Sequence, residues 1–530
     1  MTGDRTAGDA LLQAAGAAGG LGRPDRTPAP SPVPAGGFPS PRQPVPPTPP
    51  PSPVRPGWYL RRWEELTAPQ RRRTGEALAG GLRMPLVEPD PQGDPGYRLV
   101  TFLHRDVDAS AVILSANGLL DHRDPAAMEF DRLPGAGLWA LTLRMPADWE
   151  AGYRITVHSG PDAPPWRVVG ADRRTVRLAA DAGGVDPLNP AVGATMNGAA
   201  QSLLRLPAAP DAPWLAAATP AQAQRLAART HPATAVGASV AAALPSVMGA
   251  AAPGADITTP DAGPDSRLRQ LRVRDTTGGR ERLVWLYLPQ AHRRGAAGGA
   301  VPAATGRSER LPLVLLHDGQ VWAKWLNLAA TLDAAVSAGV LPPLAVAMID
   351  SLDVPTRTRE LSGPTGTVDF LARDLLPLLR SRFPVTADRS RTVVCGASYG
   401  GLAALWQLAR FPELVGAALA QSPSLWRYDL AAPLSPVAGR VRIRLQAGIY
   451  ESTVHEPSAA LARTLADVGA DLGFRSITGG HDWAWWHPWL VRGLAELLGG
   501  GAAADSGPSG SPAPAGPGRA GAVGSAQLSV

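Results

Sequence analysis

The stretch Thr392-Val-Val-Cys-Gly-Ala-Ser-Tyr-Gly-Gly-Leu-Ala-Ala-Leu-Trp406 decides the reading of this chain. Four apolar or β-branched residues, Thr392 to Cys395, are followed by Gly396-Ala397-Ser398-Tyr399-Gly400 and then by the helix-forming run Gly401 to Leu405. A buried strand, a tight turn and a helix in immediate succession are what lift a serine hydroxyl clear of its own backbone, and small residues flank Ser398 because such a turn brings chain close to chain. The alternative is a glycine-rich turn carrying an ordinary serine.

The surroundings decide between the two. From Leu311 onward, apolar strands alternate with amphipathic stretches: LPLVLLHD, PPLAVAMID, VDFLARDLLPLLRSRF, RTVVCGAS, GLAALWQLAR, GAALAQSP and VRIRLQAG. That alternation predicts an α/β fold with a mostly parallel sheet and helices on both faces, with ligands at the carboxyl ends of the strands. Just upstream, LRQLRVRDTTGGRERLVWLYLP reads as a hairpin turning near Thr277-Gly278-Gly279. Between Tyr97 and His158, the runs YRLVTFLHR, SAVILSANG, GLWALTLRM and YRITVH alternate with period two and predict a small β-sandwich, preceded by a helix-rich lead-in over 59–83.

The rest of the chain is of another kind. Residues 22–57 are proline-dense, 217–264 are rich in Ala, Pro and Gly, and the tail from Gly499 has the same character. The expected organisation is a disordered arm over 1–57, a sandwich domain over 58–210, a linker or insertion over 211–268, the α/β domain over 269–498 and a disordered tail over 499–530. The arm is expected to act as a tether; a protein partner that docks on its prolines is the other use of such a segment.

The formal charge of +6 comes almost wholly from arginine, Lys324 being the sole lysine, and no dense basic run occurs, which disfavours nucleic acid as a partner. Cys395 is the only cysteine, so an intrachain disulfide and a multi-cysteine metal site are excluded. The N-terminus lacks a continuous apolar core, and no stretch of about 18 apolar residues follows. The expectation is a cytoplasmic protein without stable membrane insertion.

A serine nucleophile needs a base, which in α/β-hydrolase order falls late in the domain. His481, in ITGGHDWAWW, meets that requirement; His487, His455 and His317 are the other histidines weighed. The acid that orients the base should lie between the two in sequence. Glu451 follows the strand VRIRLQAGIY, and Asp482, Asp429 and Glu456 are the alternatives. The backbone amides of Tyr399 and Gly319 are candidate oxyanion donors.

Through these residues the chain resembles the enterochelin (enterobactin) esterases. LLHDGQVWA, AMIDSLDVPTRTREL, LLPLLRSRF, DRSRTVVCGASYGGLAAL, FPELVGAALAQSPSLW, LQAGIYE and GGHDWAWW occur in the family's order, and VTFLHRD, NGLLDHRD, GLWALTLRMPADWEAGYRI and VDPLNP resemble its N-terminal domain. The similarity covers about 85–210 and 270–498. The resemblance implies a serine esterase with Ser398 as nucleophile, His481 as base and Glu451 as acid, with Arg357, Trp322 and Trp486 near the substrate. It also implies a catecholate siderophore ester as the small-molecule substrate, with iron present only as part of that substrate and no cofactor. Guanidinium groups and tryptophan faces suit a large aromatic anion, and Arg359, Arg427 and the tryptophans at 426, 483 and 485 fall in the same segments. The competing readings are a general carboxylesterase or acyltransferase of the same fold and a non-catalytic siderophore-binding protein.

Overall fold

The computed structural model describes residues 49–499 apart from 52, 55–57, 80–83, 169, 197, 216–266 and 294–309. Most of the expected arm, linker and tail therefore lies outside the described residues. At the end of the arm, Pro53 and Val54 are ordered against the sandwich, where the Val54 amide donates to the Thr142 carbonyl at 3.0 Å. Proline and its neighbour suit such an edge position because few ladder donors are needed there.

The sandwich is built from two antiparallel four-stranded sheets. The first runs in the order β1 (Leu86–Pro89), β2 (Tyr97–Arg105), β5 (Leu138–Pro146), β4 (Asp131–Leu133); the second runs β3 (Ala111–Ala116), β6 (Glu150–His158), β8 (Ala200–Arg205), β7 (Val192–Ala194). Along β2 and β5 the apolar residues point both ways. Val100, Phe102, Leu141 and Leu143 join the core between the sheets. Leu103, Leu138 and Ala140 instead pack under Trp63 of the lead-in helix Trp58–Glu64. The outer face is thus covered rather than solvated, which accounts for the apolar residues at both parities.

The second domain carries one eight-stranded sheet, in the order β16 (Asp471–Ile477), β15 (Arg442–Gly448), β14 (Ala417–Gln421), β13 (Thr392–Ala397), β11 (Leu313–Leu316), β12 (Ala345–Ile349), β10 (Arg280–Tyr287), β9 (Leu268–Asp275). The six strands from β16 to β12 are parallel, and the β9–β10 hairpin closes the edge antiparallel. Alternate residues of the central strands feed opposite cores: Leu313, Leu315, Val394 and Ala418 on one face, Val314, Leu316, Val393 and Leu419 on the other. Burying a Val or Leu side chain contributes about 1.5–3 kcal/mol, enough to exceed the ~1–2 kcal/mol cost of ordering its backbone. No described helix is long and apolar enough to cross a membrane.

This topology sets the site. The carboxyl ends of β13, β14, β15 and β16 lie side by side, and the loops that leave them carry Ser398, Ser422, Glu451 and His481 in turn.

Candidate active site

Ser398 sits between β13 and the helix Tyr399–Arg410 with φ 60° and ψ −121°. A non-glycine residue held there costs on the order of 1–3 kcal/mol, and its surroundings must hold it. They do so through the Ser398 amide, which donates to the Gln421 carbonyl at 2.9 Å, and through the Ser398 carbonyl, which accepts from the Leu402 and Ser424 amides. Gly396 and Gly400 are required by contact: a Cβ at Gly396 would run into the Gly400 backbone, and one at Gly400 would stand 3.0 Å from the His317 Cβ. The pentapeptide is thus a strained nucleophile elbow and not a bland turn.

The structure brings His481 and Glu451 together. His481 Nδ1 lies 2.6 Å from Glu451 Oε2, and the imidazole is 40% exposed while the carboxylate is 2% exposed. The other carboxylate oxygen, Oε1, accepts from the Ser422 hydroxyl at 2.7 Å and the Gly448 amide at 2.8 Å. Ser422 is itself fixed by the Trp486 indole N–H, which donates to its Oγ at 2.9 Å. Trp486 also packs edge-on against the His481 ring at 4.7 Å. Ser422 was not singled out in the sequence, although QSPSLW places it directly after β14.

The alternatives separate physically. Asp482 is turned away from the imidazole: Oδ1 accepts from the Ala484 amide at 2.9 Å, capping helix Trp483–Leu498, and Oδ2 accepts from the Gly152 amide of the sandwich at 2.7 Å. Burial pushes its pKa up. His317 is buried and His487 half-buried, both pushed down to about 4 by desolvation, and His455 bonds the Ser476 hydroxyl at 2.8 Å.

Ser398, Tyr399, Arg357, Glu451, His481 and Trp486 all line one cavity of about 1160 Å³, whose opposite wall comes from the sandwich and includes Asn117, Arg154 and Arg177. The domains meet at the base itself. A Cβ on Gly480 would stand 2.5 Å from the Asn117 carbonyl, and the Trp149 and Tyr450 rings stack at 4.4 Å.

Two expected residues stand elsewhere. Trp322 is not on the cavity wall: it is fully buried in the core beneath the sheet, its indole N–H donating to the His317 carbonyl at 3.1 Å, so it cannot meet a substrate. Gly319 does not line the cavity either; it is packed against the Met348–Ile349 peptide, where no side chain fits. Arg357 does line it, but Asp318 already takes its guanidinium in a fork, with Nε–Oδ1 at 2.6 Å and Nη2–Oδ2 at 2.8 Å.

An eight-stranded α/β sheet with a strained serine elbow, a histidine and a buried carboxylate at neighbouring strand ends defines an α/β-hydrolase. The sequence matches the Esterase family over residues 276–497 and the family described as enterochelin esterase, N-terminal, over 99–215. It is 30% identical to the iron(III) salmochelin esterase of Escherichia coli O6:H1, over 79% of this chain and 92% of that one. It is 28% identical to the iron(III) enterobactin esterase of Dickeya dadantii, over 79% and 88%. The ferric enterobactin esterase of Salmonella typhimurium superposes with a TM-score of 0.59 at 25% identity, and the Shigella flexneri enterobactin esterase in the presence of enterobactin with 0.58 at 26%. These alignments cover 80% of this chain, and 98% and 97% of the two structures respectively. The chain belongs to the enterochelin esterase family, and it is a carboxylic ester hydrolase.

Proposed function

We propose that this enzyme hydrolyses the ester bonds of a ferric catecholate siderophore of the enterobactin or salmochelin type, in the cytoplasm, so that iron is released from a weakened ligand. Ser398 Oγ attacks the ester carbonyl while His481 takes its proton through Nε2. Glu451 holds the Nδ1–H and stabilises the imidazolium, and the Tyr399 amide receives the oxyanion. His481 then returns the proton to the departing serine alkoxide of the substrate, and a water activated by the same imidazole clears the acyl-enzyme. Every step uses the chain's own groups, and iron enters only as part of the substrate.

The observation that carries the reading is the 2.6 Å His481–Glu451 pair opening with Ser398 into one cavity of about 1160 Å³. That volume exceeds the ~300–1000 Å³ of ordinary small-molecule sites and suits a bulky ester. The names of the relatives supply the substrate class. Steady-state kinetics on ferric enterobactin and on 4-nitrophenyl butyrate test it: a kcat/KM at least a hundredfold higher for the ferric ester supports the reading, and the reverse order replaces it with a general carboxylesterase.

A further inference from the structure

Charge on the cavity wall is unevenly matched. Of the three arginines that line it, Arg357 is held by Asp318, and Arg177, on helix Arg173–Ala180, lies 3.4 Å from the Asp181 carboxylate and donates to Asn117 Oδ1 at 2.5 Å. Arg154 is different. It stands on β6 opposite Ser115 of β3, its Nε donating to the Ala200 carbonyl at 3.1 Å and its Nη1 to the Asp181 carbonyl at 2.9 Å. Among the described residues its Nη2 is buried without a hydrogen-bond partner and its side chain makes no ion pair, the Asp181 carboxylate acting on it only through space. Among the described residues, the one carboxylate on the sandwich side of the wall, Asp181, is taken by the Ser115 hydroxyl and by Arg177.

A guanidinium drawn partly out of water, bonded to two neutral carbonyls and with its nearby carboxylate Asp181 already shared, is left under-compensated on the cavity wall. Burial works against its charge in the same direction. Arg154 lines the cavity from the sandwich and Ser398 lines it from the other domain, so a ligand that touches both must span the two domains.

We infer that Arg154, seconded by Arg177, is the anion-recognising element of the cavity, and that the sandwich domain thereby selects a bulky, multiply charged aromatic anion such as an iron–catecholate complex over a neutral ester. This rests on the proposed function and relocates charge recognition from Arg357 to the other domain.

The test compares kcat/KM on ferric enterobactin and on 4-nitrophenyl butyrate for wild type, Arg154→Gln, Arg154→Lys and Arg177→Gln. Losing one charged hydrogen-bonding group corresponds to about a tenfold to hundredfold loss. Arg154→Gln should therefore lose at least tenfold more on the ferric ester than on the neutral one, chiefly through KM. Arg154→Lys should recover part of that loss, and Arg177→Gln should show a smaller selective loss. Equal losses on both esters, or none, overturn the inference. Fluorescence titration of Ser398→Ala with ferric enterobactin, with and without Arg154→Gln, separates the two readings. Weakened binding supports the anion site even if turnover fails and the proposed function falls, while unchanged binding overturns the anion site alone.

Discussion

His481 Nδ1 and Glu451 Oε2 lie 2.6 Å apart, and the carboxylate that makes this contact is anchored on its other oxygen by Ser422 and Gly448. A carboxylate so held presents one fixed acceptor, which sets the tautomer and leaves Nε2 for the nucleophile.

Glu451→Gln should therefore lower kcat by about 10²–10⁴-fold while changing KM only slightly, because the amide can present a donor to Nδ1 and favour the wrong tautomer. Steady-state kinetics on a single soluble ester would check this. A loss confined to KM would remove Glu451 from the proton chemistry.

Asp482 joins the base loop to the other domain. Replacing it by Ala removes the cap of helix Trp483–Leu498 and leaves the Gly152 amide without its acceptor, so unfolding in urea should show a loss of about 1–3 kcal/mol. The same variant should lower kcat about tenfold as His481 loses its seating. Gly480→Ala, which forces a Cβ against Asn117, should act in the same direction. Unchanged kcat in both variants would mean that the domain contact does not position the base.

Arg357→Ala leaves Asp318 buried without its counter-charge, and breaking such a pair costs about 3–5 kcal/mol. Thermal or urea unfolding should register that loss, and kcat/KM should fall alike on charged and neutral esters because the arginine supports the turn behind the elbow. A loss restricted to the ferric substrate would restore Arg357 as an anion-binding residue.

Stability should decline with acid through two histidines that desolvation keeps neutral. His317 and His487 have folded pKa values near 4 against about 6.5 for an unfolded histidine. Below pH 6.5 the unfolded chain therefore binds protons that the folded chain refuses. The stabilisation is whole above pH 6.5 and is lost as pH falls through 4, at about 1.4 kcal/mol per pH unit for each histidine. His487→Phe, which keeps an aromatic edge toward Trp322, should flatten the fall in unfolding free energy by about that slope. Parallel curves for variant and wild type would contradict the assignment.

Much of this was legible in the residues. The parallel sheet was visible because strands buried on both faces read as apolar runs, and the elbow because Gly396-Ala397-Ser398-Tyr399-Gly400 stands between such a run and a helix. Glu451 and Asp482 could not be separated by position alone, since the choice depends on where Asp482 points, and that is fixed by the Gly152 amide of another domain. Trp322 failed as a substrate contact because burial of one tryptophan among fifteen is a tertiary property that residue type does not carry. Arg154 and Arg177 were missed for a related reason: they lie in a different domain from Ser398 and share its cavity only because the domains pack together.

The most direct measurement is mass spectrometry of the products formed when wild type and Ser398→Ala are each incubated with ferric enterobactin. The account predicts linear trimer, dimer or monomer with wild type and intact substrate with the variant. Equal product from both proteins would remove Ser398 from the reaction, and no cleavage by wild type would contradict the proposed substrate.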